Sequence, residues 1–375
     1  MGEYFTQKEY MSPPRLRGYC FSSETIQAAC RQKKLLSITI ETNSQCNLHC
    51  SYCEGTAKNA KSYEADLSDI TKVISEARAL GAEAVVVGGA GEPTLYKEFI
   101  RLIEIICGYG LIPVVFTNAI TLTPHMCSFL KEHNVSVMTK LDSLRPATQD
   151  HLSGVNGAYV AIQAGLHNLF NAGYTEPSDP LLLSLGISIV ANLLNVEEIE
   201  ELWHFCRRHN IFPNVKALKN FGSTFYTEQN HYLSPERISD LKLKLLAIDR
   251  EFYNFDWIPY TPLPGCSCLQ YLYSLYITMH GEVRPCRMTK FDKHPFFSVN
   301  GKYPFNAFSN SLEDIYNAEP FVFTRSIGKY LQGNCSKCKH SFNCIGCRGF
   351  AYNTGINRGL VPYEALCLDS SQCFC

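Results

Sequence analysis

The chain lacks any apolar run long enough to cross a bilayer, and its start, Met1-Gly2-Glu3-Tyr4, lacks the charged-then-apolar layout of a secretory signal. It also lacks an excess of charge of either sign. The formal net charge of −1 leaves no basic footprint for holding phosphates, so no nucleic-acid partner is expected. No hydrolase-type triad pattern is found. The expectation is a cytoplasmic protein with no membrane partner.

What the chain does have is cysteine, 18 of them in 375 residues. Without a secretory signal, clustered cysteines point to metal or redox chemistry rather than to a disulfide scaffold. They gather at 46–53 and 266–375, with Cys107, Cys127 and Cys206 between them in helix-like apolar patterns, where they read as core fillers. Cys20 and Cys30 lie in an N-terminal extension, residues 1–34, which has the mixed composition of a lead-in.

From residue 35 the chain alternates between strand and helix periods. Leu35–Ile40 is β-branched and partly alternating, and Ala84–Val87 is the continuous apolar run of a buried parallel strand. Between them Leu67, Ile70, Val73, Ile74, Ala77 and Leu80 share one helical face that Gly81 closes. The alternation continues through strands at 113–116, 135–139 and 183–190 and helices at 99–106, 124–133, 158–172 and 196–208, with a last strand near 214–218. Repeated βα units require parallel strands with right-handed crossovers, in an open sheet or a barrel, and six units are too few for an eight-fold barrel. Residues 221–262, with one helix at roughly 235–250, read as a connector, and 263–375 as a separate cysteine-rich domain.

The stretch Cys46-Asn47-Leu48-His49-Cys50-Ser51-Tyr52-Cys53 follows the first strand directly. Three thiolates on one short loop can hold three corners of a four-iron cluster and leave the fourth iron open. Structural zinc would ask for a fourth ligand, usually from paired CxxC knuckles. The stretch resembles the signature of the radical S-adenosylmethionine (SAM) superfamily, CxxxCxΦC with an aromatic Φ, here Tyr52. The resemblance implies a partial (β/α)6 TIM-like barrel, a cluster on Cys46, Cys50 and Cys53, and SAM as cofactor, cleaved to a 5′-deoxyadenosyl radical.

Val87-Gly88-Gly89-Ala90-Gly91-Glu92-Pro93 closes the second strand at the edge where parallel α/β sheets bind ligands. It has neither the lysine of a P-loop nor the spacing of a dinucleotide fingerprint. It resembles the superfamily's GGxEP motif, which makes Gly88, Gly89, Gly91 and Glu92 SAM-binding candidates. Further candidates at strand ends are Asn118, Asp142, Ser143, Ser188 and Asn192. Asn118 could equally cap a turn, and Asp142 could form an ordinary ion pair with Lys140. Glu197 reads as a helix-start carboxylate.

The tail carries Cys268-x12-Gly281-x4-Cys286, then Cys335-x2-Cys338-x5-Cys344-x2-Cys347, then Cys367. Read bare, the two CxxC knuckles suit zinc as well as iron–sulfur, but a zinc ribbon leaves Cys266, Cys268, Cys286 and Cys367 unexplained. The pattern resembles the SPASM extension of radical SAM enzymes, except that its last knuckle has two intervening residues instead of three. The resemblance implies two auxiliary clusters, one on Cys268, Cys286 and Cys347 with Cys266 as its natural fourth ligand, the other on Cys335, Cys338, Cys344 and Cys367. That makes three [4Fe-4S] clusters in all. Arg287, beside Cys286, is a candidate substrate-facing residue, and Cys373 and Cys375 remain without an assigned role.

The expected function is hydrogen abstraction from an unactivated carbon, leading to oxidation, cross-linking or epimerisation of a peptide or protein side chain, with a flavodoxin or ferredoxin as electron donor. Only about 34 residues precede the first strand, too few for a built-in leader-binding domain. The alternative is therefore a dehydrogenase or epimerase of a sugar, aminocyclitol or other small molecule. A non-catalytic zinc or iron–sulfur binding protein is the remote third reading.

Overall fold

The structure is a computed structural model that describes residues 10–53, 62–218, 231–257, 268–290, 294–299, 302–338 and 344–369. Its centre is a sheet of β2 (Ser37–Ile40), β3 (Ala84–Val87), β4 (Ile112–Thr117), β5 (Ser136–Lys140), β7 (Leu185–Ala191) and β8 (Phe212–Ala217), in that spatial order and all parallel; the short β1 (Arg15–Leu16) and β6 (Leu182–Leu183) pair apart from it. The crossovers are α2 (Leu67–Ala79), α3 (Phe99–Gly108), α4 (Pro124–Glu132), then α5 (Pro146–Ser153) with α6 (Ala158–Asn171), and α7 (Ile199–Arg208), while α1 (Ser23–Gln32) precedes the sheet. This is the partial (β/α)6 barrel expected from the cysteine and glycine motifs.

Local chemistry accounts for the elements. The Asp66 carboxylate accepts the Ser68 N–H at 2.7 Å to start α2, and Thr123 caps α4 just before Pro124. Along β3 the valines split between faces, as strand alternation requires. Val85 and Val87 pack in the main core under the helices, whereas Val86 joins a second cluster with Val114, Met138 and Phe212 inside the barrel.

That inner cluster includes Leu16, Tyr19 and Cys20. The N-terminal extension is thus more than a lead-in: β1 pairs in parallel with β6, and residues 16–20 fill the barrel's interior. Gly18 has φ +74°, and a Cβ there would lie 2.7 Å from Ile112, so the plug fits only without a side chain.

The sheet also extends beyond β2, at the edge opposite β8. β9 (Ser274–Ile277) pairs in parallel with β2, and β10 (Val283–Arg284) pairs antiparallel with β9, so the cysteine-rich segment is built onto the barrel sheet. The remaining helices are α8 (Pro235–Ile248), α9 (Gln270–Tyr273), α10 (Leu312–Asn317), α11 (Glu319–Arg325), α12 (Gly333–Lys337), α13 (Arg348–Asn357) and α14 (Pro362–Cys367). Cys127 and Cys206 are buried in the core and Cys107 packs against it.

α7 and α8 are joined by a buried polar clamp. Asp249, just past α8, accepts from Arg207 Nε at 2.9 Å and from Trp203 Nε1 at 2.7 Å, with the acid and the Arg207 side chain both buried. Glu197, by contrast, pairs with Arg237 in solvent. Asp249→Ala would leave a buried guanidinium uncompensated and is expected to cost about 3–5 kcal/mol in chemical denaturation. Glu197→Ala should cost no more than about 1 kcal/mol in the same assay.

Candidate functional site

The carboxyl ends of the parallel strands open on one cavity. Its barrel wall carries Cys50, Tyr52, Cys53, Gly88, Gly89, Gly91, Lys140 and Ser188, and its opposite wall carries Cys268, Cys286, Arg287 and Cys347. Cys46 stands just behind the barrel wall, where the Asn118 side-chain amide approaches its Sγ at 3.9 Å.

The cysteine loop has no secondary structure of its own and is held by its neighbours. His49 N–H donates to the Ser153 carbonyl at 3.0 Å and Ser51 N–H to Leu152 at 3.1 Å, at the end of α5. Gly154 has φ +66° there, and a Cβ on it would fall 2.3 Å from the His49 carbonyl oxygen. Burial pushes the Cys46 thiol up to about 11 and Cys50 up to about 12. A bound cation reverses that preference, because a coordinated thiol is held as thiolate.

The glycine turn is laced to the segment entering that loop. Gly91 N–H donates to Asn43 O at 2.9 Å, Glu92 N–H to Gln45 O at 2.6 Å, and Asn43 Nδ2 to Glu92 O at 3.1 Å. Gly88 and Gly89 have φ of +154° and +129°, and a Cβ on Gly89 would meet the Tyr276 hydroxyl at 2.2 Å. The Glu92 carboxylate points back into the protein. It accepts from Thr94 Oγ1 at 2.7 Å, Thr117 Oγ1 at 2.6 Å and Asn118 N–H at 2.8 Å, and burial still raises its pKa. Its visible work is to bracket the ends of β3 and β4. Asn118 caps its own turn, its Oδ1 accepting the Ile120 N–H at 3.1 Å, while its Nδ2 donates to Asn47 at 2.6 Å.

Asp142 is fully buried behind the wall. It takes the Tyr52 hydroxyl, the Lys140 ammonium at 2.5 Å and the Val190 N–H at 2.7 Å, and Lys140 lies 4.8 Å from the Tyr52 ring centroid. The Lys140–Asp142 pair is therefore an ion pair that also orients the aromatic residue of the cysteine loop. The structure does not bring Ser143 or Asn192 into the cavity. The Ser143 hydroxyl is spent on Glu198 and the Arg145 N–H, and the Asn192 amide holds its own turn through Val190 O and Leu194 N–H. The buried carboxylate of the Val196–Glu198 turn is Glu198, not the exposed Glu197.

Sequence reasoning missed Lys216, Tyr19, Gln270 and Tyr276, all on the cavity wall. Lys216 was within reach, because strand alternation from the inward Phe212 puts it on the inner face, where its ammonium lies 5.4 Å from the Phe116 ring centroid. Tyr19 and Tyr276 arrive from the plug and from β9, and no local pattern announces either.

The tail cysteines separate into two neighbourhoods. Cys286 feels Cys347 and Cys268, and burial pushes its thiol up to about 12. Gly349 makes this approach possible, since a Cβ there would lie 2.9 Å from Cys286 Sγ. Cys344 feels Cys335 and Cys338, and Cys367 ends α14 on the far side of Arg348. Cys266, Cys373 and Cys375 lie outside the described residues. Every described cysteine is a free thiol, and among the described residues no three Cys, His, Asp or Glu side chains are close enough to share one metal ion.

A cysteine-bearing loop and a glycine turn at the strand ends, faced by further free cysteines, define a barrel built for an iron–sulfur cofactor. The family model of the radical SAM superfamily matches residues 40–207, and that of the SPASM iron–sulfur cluster-binding domain matches residues 266–339. The chain belongs to the radical SAM superfamily and carries a C-terminal SPASM domain, which ties it to SAM and iron–sulfur binding. It is 26% identical over 188 residues, 50% of this chain and 45% of the other, to the mycofactocin maturase MftC of Mycolicibacterium smegmatis. It is 23% identical over 320 residues, 80% of this chain and 86% of the other, to the tungsten-containing aldehyde ferredoxin oxidoreductase cofactor-modifying protein of Pyrococcus furiosus. The crystal structure of Streptococcus suis SuiB bound to precursor peptide SuiA matches with a TM-score of 0.68 at 17% identity, covering 92% of this chain and 79% of that one. At that identity the likeness is one of fold. The chain spans about half the length of the first curated relatives it matches.

Gly89→Ala would drive a methyl group into the Tyr276 hydroxyl and strain a backbone that glycine alone adopts freely. SAM affinity, measured by equilibrium dialysis on iron-loaded protein, should fall at least about tenfold, or about 1.4 kcal/mol. Adding Tyr276→Phe removes the nearest clashing atom and should restore part of it.

Proposed function

We propose that this chain is a radical SAM/SPASM enzyme that abstracts hydrogen from an unactivated carbon of a peptide or protein side chain, with net oxidation, cross-linking or epimerisation as the outcome. One observation carries the reading: a single cavity has Cys50, Cys53 and the glycine turn on one wall and Cys268, Cys286 and Cys347 on the other. A substrate lying between those walls would touch both halves of the chemistry. The maturase relative and the peptide-bound neighbour support a peptide substrate, and nothing in the cavity walls demands a small one.

Cys46, Cys50 and Cys53 would hold the cluster whose open iron takes SAM. When bound, that pair supplies a one-electron reductive cleavage to the 5′-deoxyadenosyl radical. The remaining work belongs to the chain. Gly88 and Gly89 offer bare backbone to the methionine end of SAM, and Ser188 stands at the same strand-end edge. Asp142 fixes Tyr52 and Lys140 in place, and the plug at residues 16–20 closes the barrel's inner end against water. Cys268, Cys286 and Cys347, with Cys266, would hold one auxiliary cluster, and Cys335, Cys338, Cys344 and Cys367 another. A flavodoxin or ferredoxin would deliver the single electrons, in a reducing cytoplasm where the thiols stay free. Among the described residues no helix is long and apolar enough to cross a membrane.

Anaerobically reconstituted protein should form 5′-deoxyadenosine from SAM on reduction, and Cys46→Ala, Cys50→Ala or Cys53→Ala should abolish it. Wild-type product no higher than in these variants would sink the proposal. Iron content reads the tail: about twelve irons per chain fits three four-iron clusters, while about four with one or two zincs would leave the tail structural.

Substrate class can be read from hydrogen origin. Deuterium should enter 5′-deoxyadenosine from the peptide fraction of a deuterated cell extract. Transfer from the small-molecule fraction alone would favour a sugar or aminocyclitol dehydrogenase or epimerase instead.

A further inference from the structure

Arg348 opens α13 directly after Cys347, and its side chain is buried, with 3% of the residue exposed. The residue lines the cavity beside Cys347, and its guanidinium is bonded elsewhere. Nη1 donates to the carbonyls of Leu366 at 3.0 Å and Leu368 at 2.6 Å, and Nη2 reaches Cys335 Sγ at 3.5 Å. Nε is buried and has no hydrogen-bond partner among the described residues. The carboxylate that feels this charge, Asp369, accepts the Cys335 N–H at 2.7 Å. A buried guanidinium held mainly by carbonyls and a sulfur is costly unless further negative charge belongs beside it. Its field also reaches Cys344 and Cys367, whereas the charges around Cys286 are those of Cys347 and Cys268.

We propose that Arg348 is a positioning residue that raises the reduction potential of the iron–sulfur group held by the outer set, Cys335, Cys338, Cys344 and Cys367, above that of the inner set lining the cavity. The inference rests on the proposed reading of both sets as cluster ligands. An N–H donated to a ligand sulfur draws negative charge off the group and stabilises the form carrying one more electron, so the potential moves up. The peptide link to Cys347 is not the route of the effect, because the charged end of the side chain lies against the other set. The outer group is then the more easily reduced of the two, and the inner group is the one nearer the substrate.

The test is an EPR-monitored redox titration of the anaerobically loaded full chain, with Arg348→Gln and Arg348→Lys beside the wild type and iron counted in each. Cys367→Ser and Cys268→Ser assign the two auxiliary signals. Arg348→Gln should lower the outer midpoint and leave the inner one in place, and Arg348→Lys, which keeps the charge, should lower it less. Unmoved midpoints at full iron loading would overturn the role of Arg348 alone. Zinc in the outer site of wild-type protein would overturn the cluster reading of that set as well. Should the glutamine variant fail to load iron, the wild type decides: protein grown on 15N-arginine and reduced should show a nitrogen coupling on the outer signal by pulsed EPR, and absence of that coupling refutes the proposal.

Discussion

The structure depends on the seam between the glycine turn and the segment that feeds the cysteine loop. Two stretches more than forty residues apart in the chain are joined by backbone hydrogen bonds at Gly88, Gly91 and Glu92, and the seam closes only because Gly91 has no Cβ; one would fall 2.2 Å from the Gln45 carbonyl oxygen. From there the contacts propagate. Glu92 reaches the end of β4, Asn118 on that end reaches Cys46, and α5 supports the loop from its other side. A loop with no regular structure thereby inherits the rigidity of a parallel sheet, which a cofactor site needs if its thiols are to keep their spacing.

The two ends of the barrel are handled differently. Leu16, Tyr19 and Cys20 fill the interior, so the strand ends on the opposite side face a cavity with a solid floor. At the sheet's edge, β9 is added next to β2, the strand that leads into the cysteine loop. Its Tyr276 donates to the buried Glu41 carboxylate, which also takes Lys290, just downstream of Cys286. One buried acid thus ties the first strand, the added strand and the segment carrying an auxiliary cysteine, and both walls of the cavity are held in one register. This polar knot explains why the cysteine-rich segment is continuous with the barrel sheet despite its different composition.

Much of this could be read from the chain. The alternating periods locate the strands of the six βα units and their helices apart from the short α5, since a buried parallel strand and a helix packed on it both need apolar residues at fixed local spacing. The helix at 235–250 and the strand near 214–218 are present within a few residues. The polar residues at strand ends were harder. Tyr52, Ser188 and the glycines face the cavity, while Glu92, Asp142, Ser143 and Asn192 stand behind it, because each of those side chains is claimed by N–H or hydroxyl donors from neighbouring strands and turns.

By itself the sequence determined the six parallel strands and most of the helices between them, the α/β class and the two cysteine constellations, all of which rest on spacings of a few residues. Only the tertiary structure decided that residues 16–20 plug the barrel, that β9 extends its sheet, that Cys268, Cys286 and Cys347 share a cavity with Cys50 and Cys53, and that the Arg348 guanidinium reaches Cys335. Those outcomes depend on contacts between segments tens to hundreds of residues apart. The direction a side chain takes there is set by which backbone has room for it, and local periodicity does not carry that information.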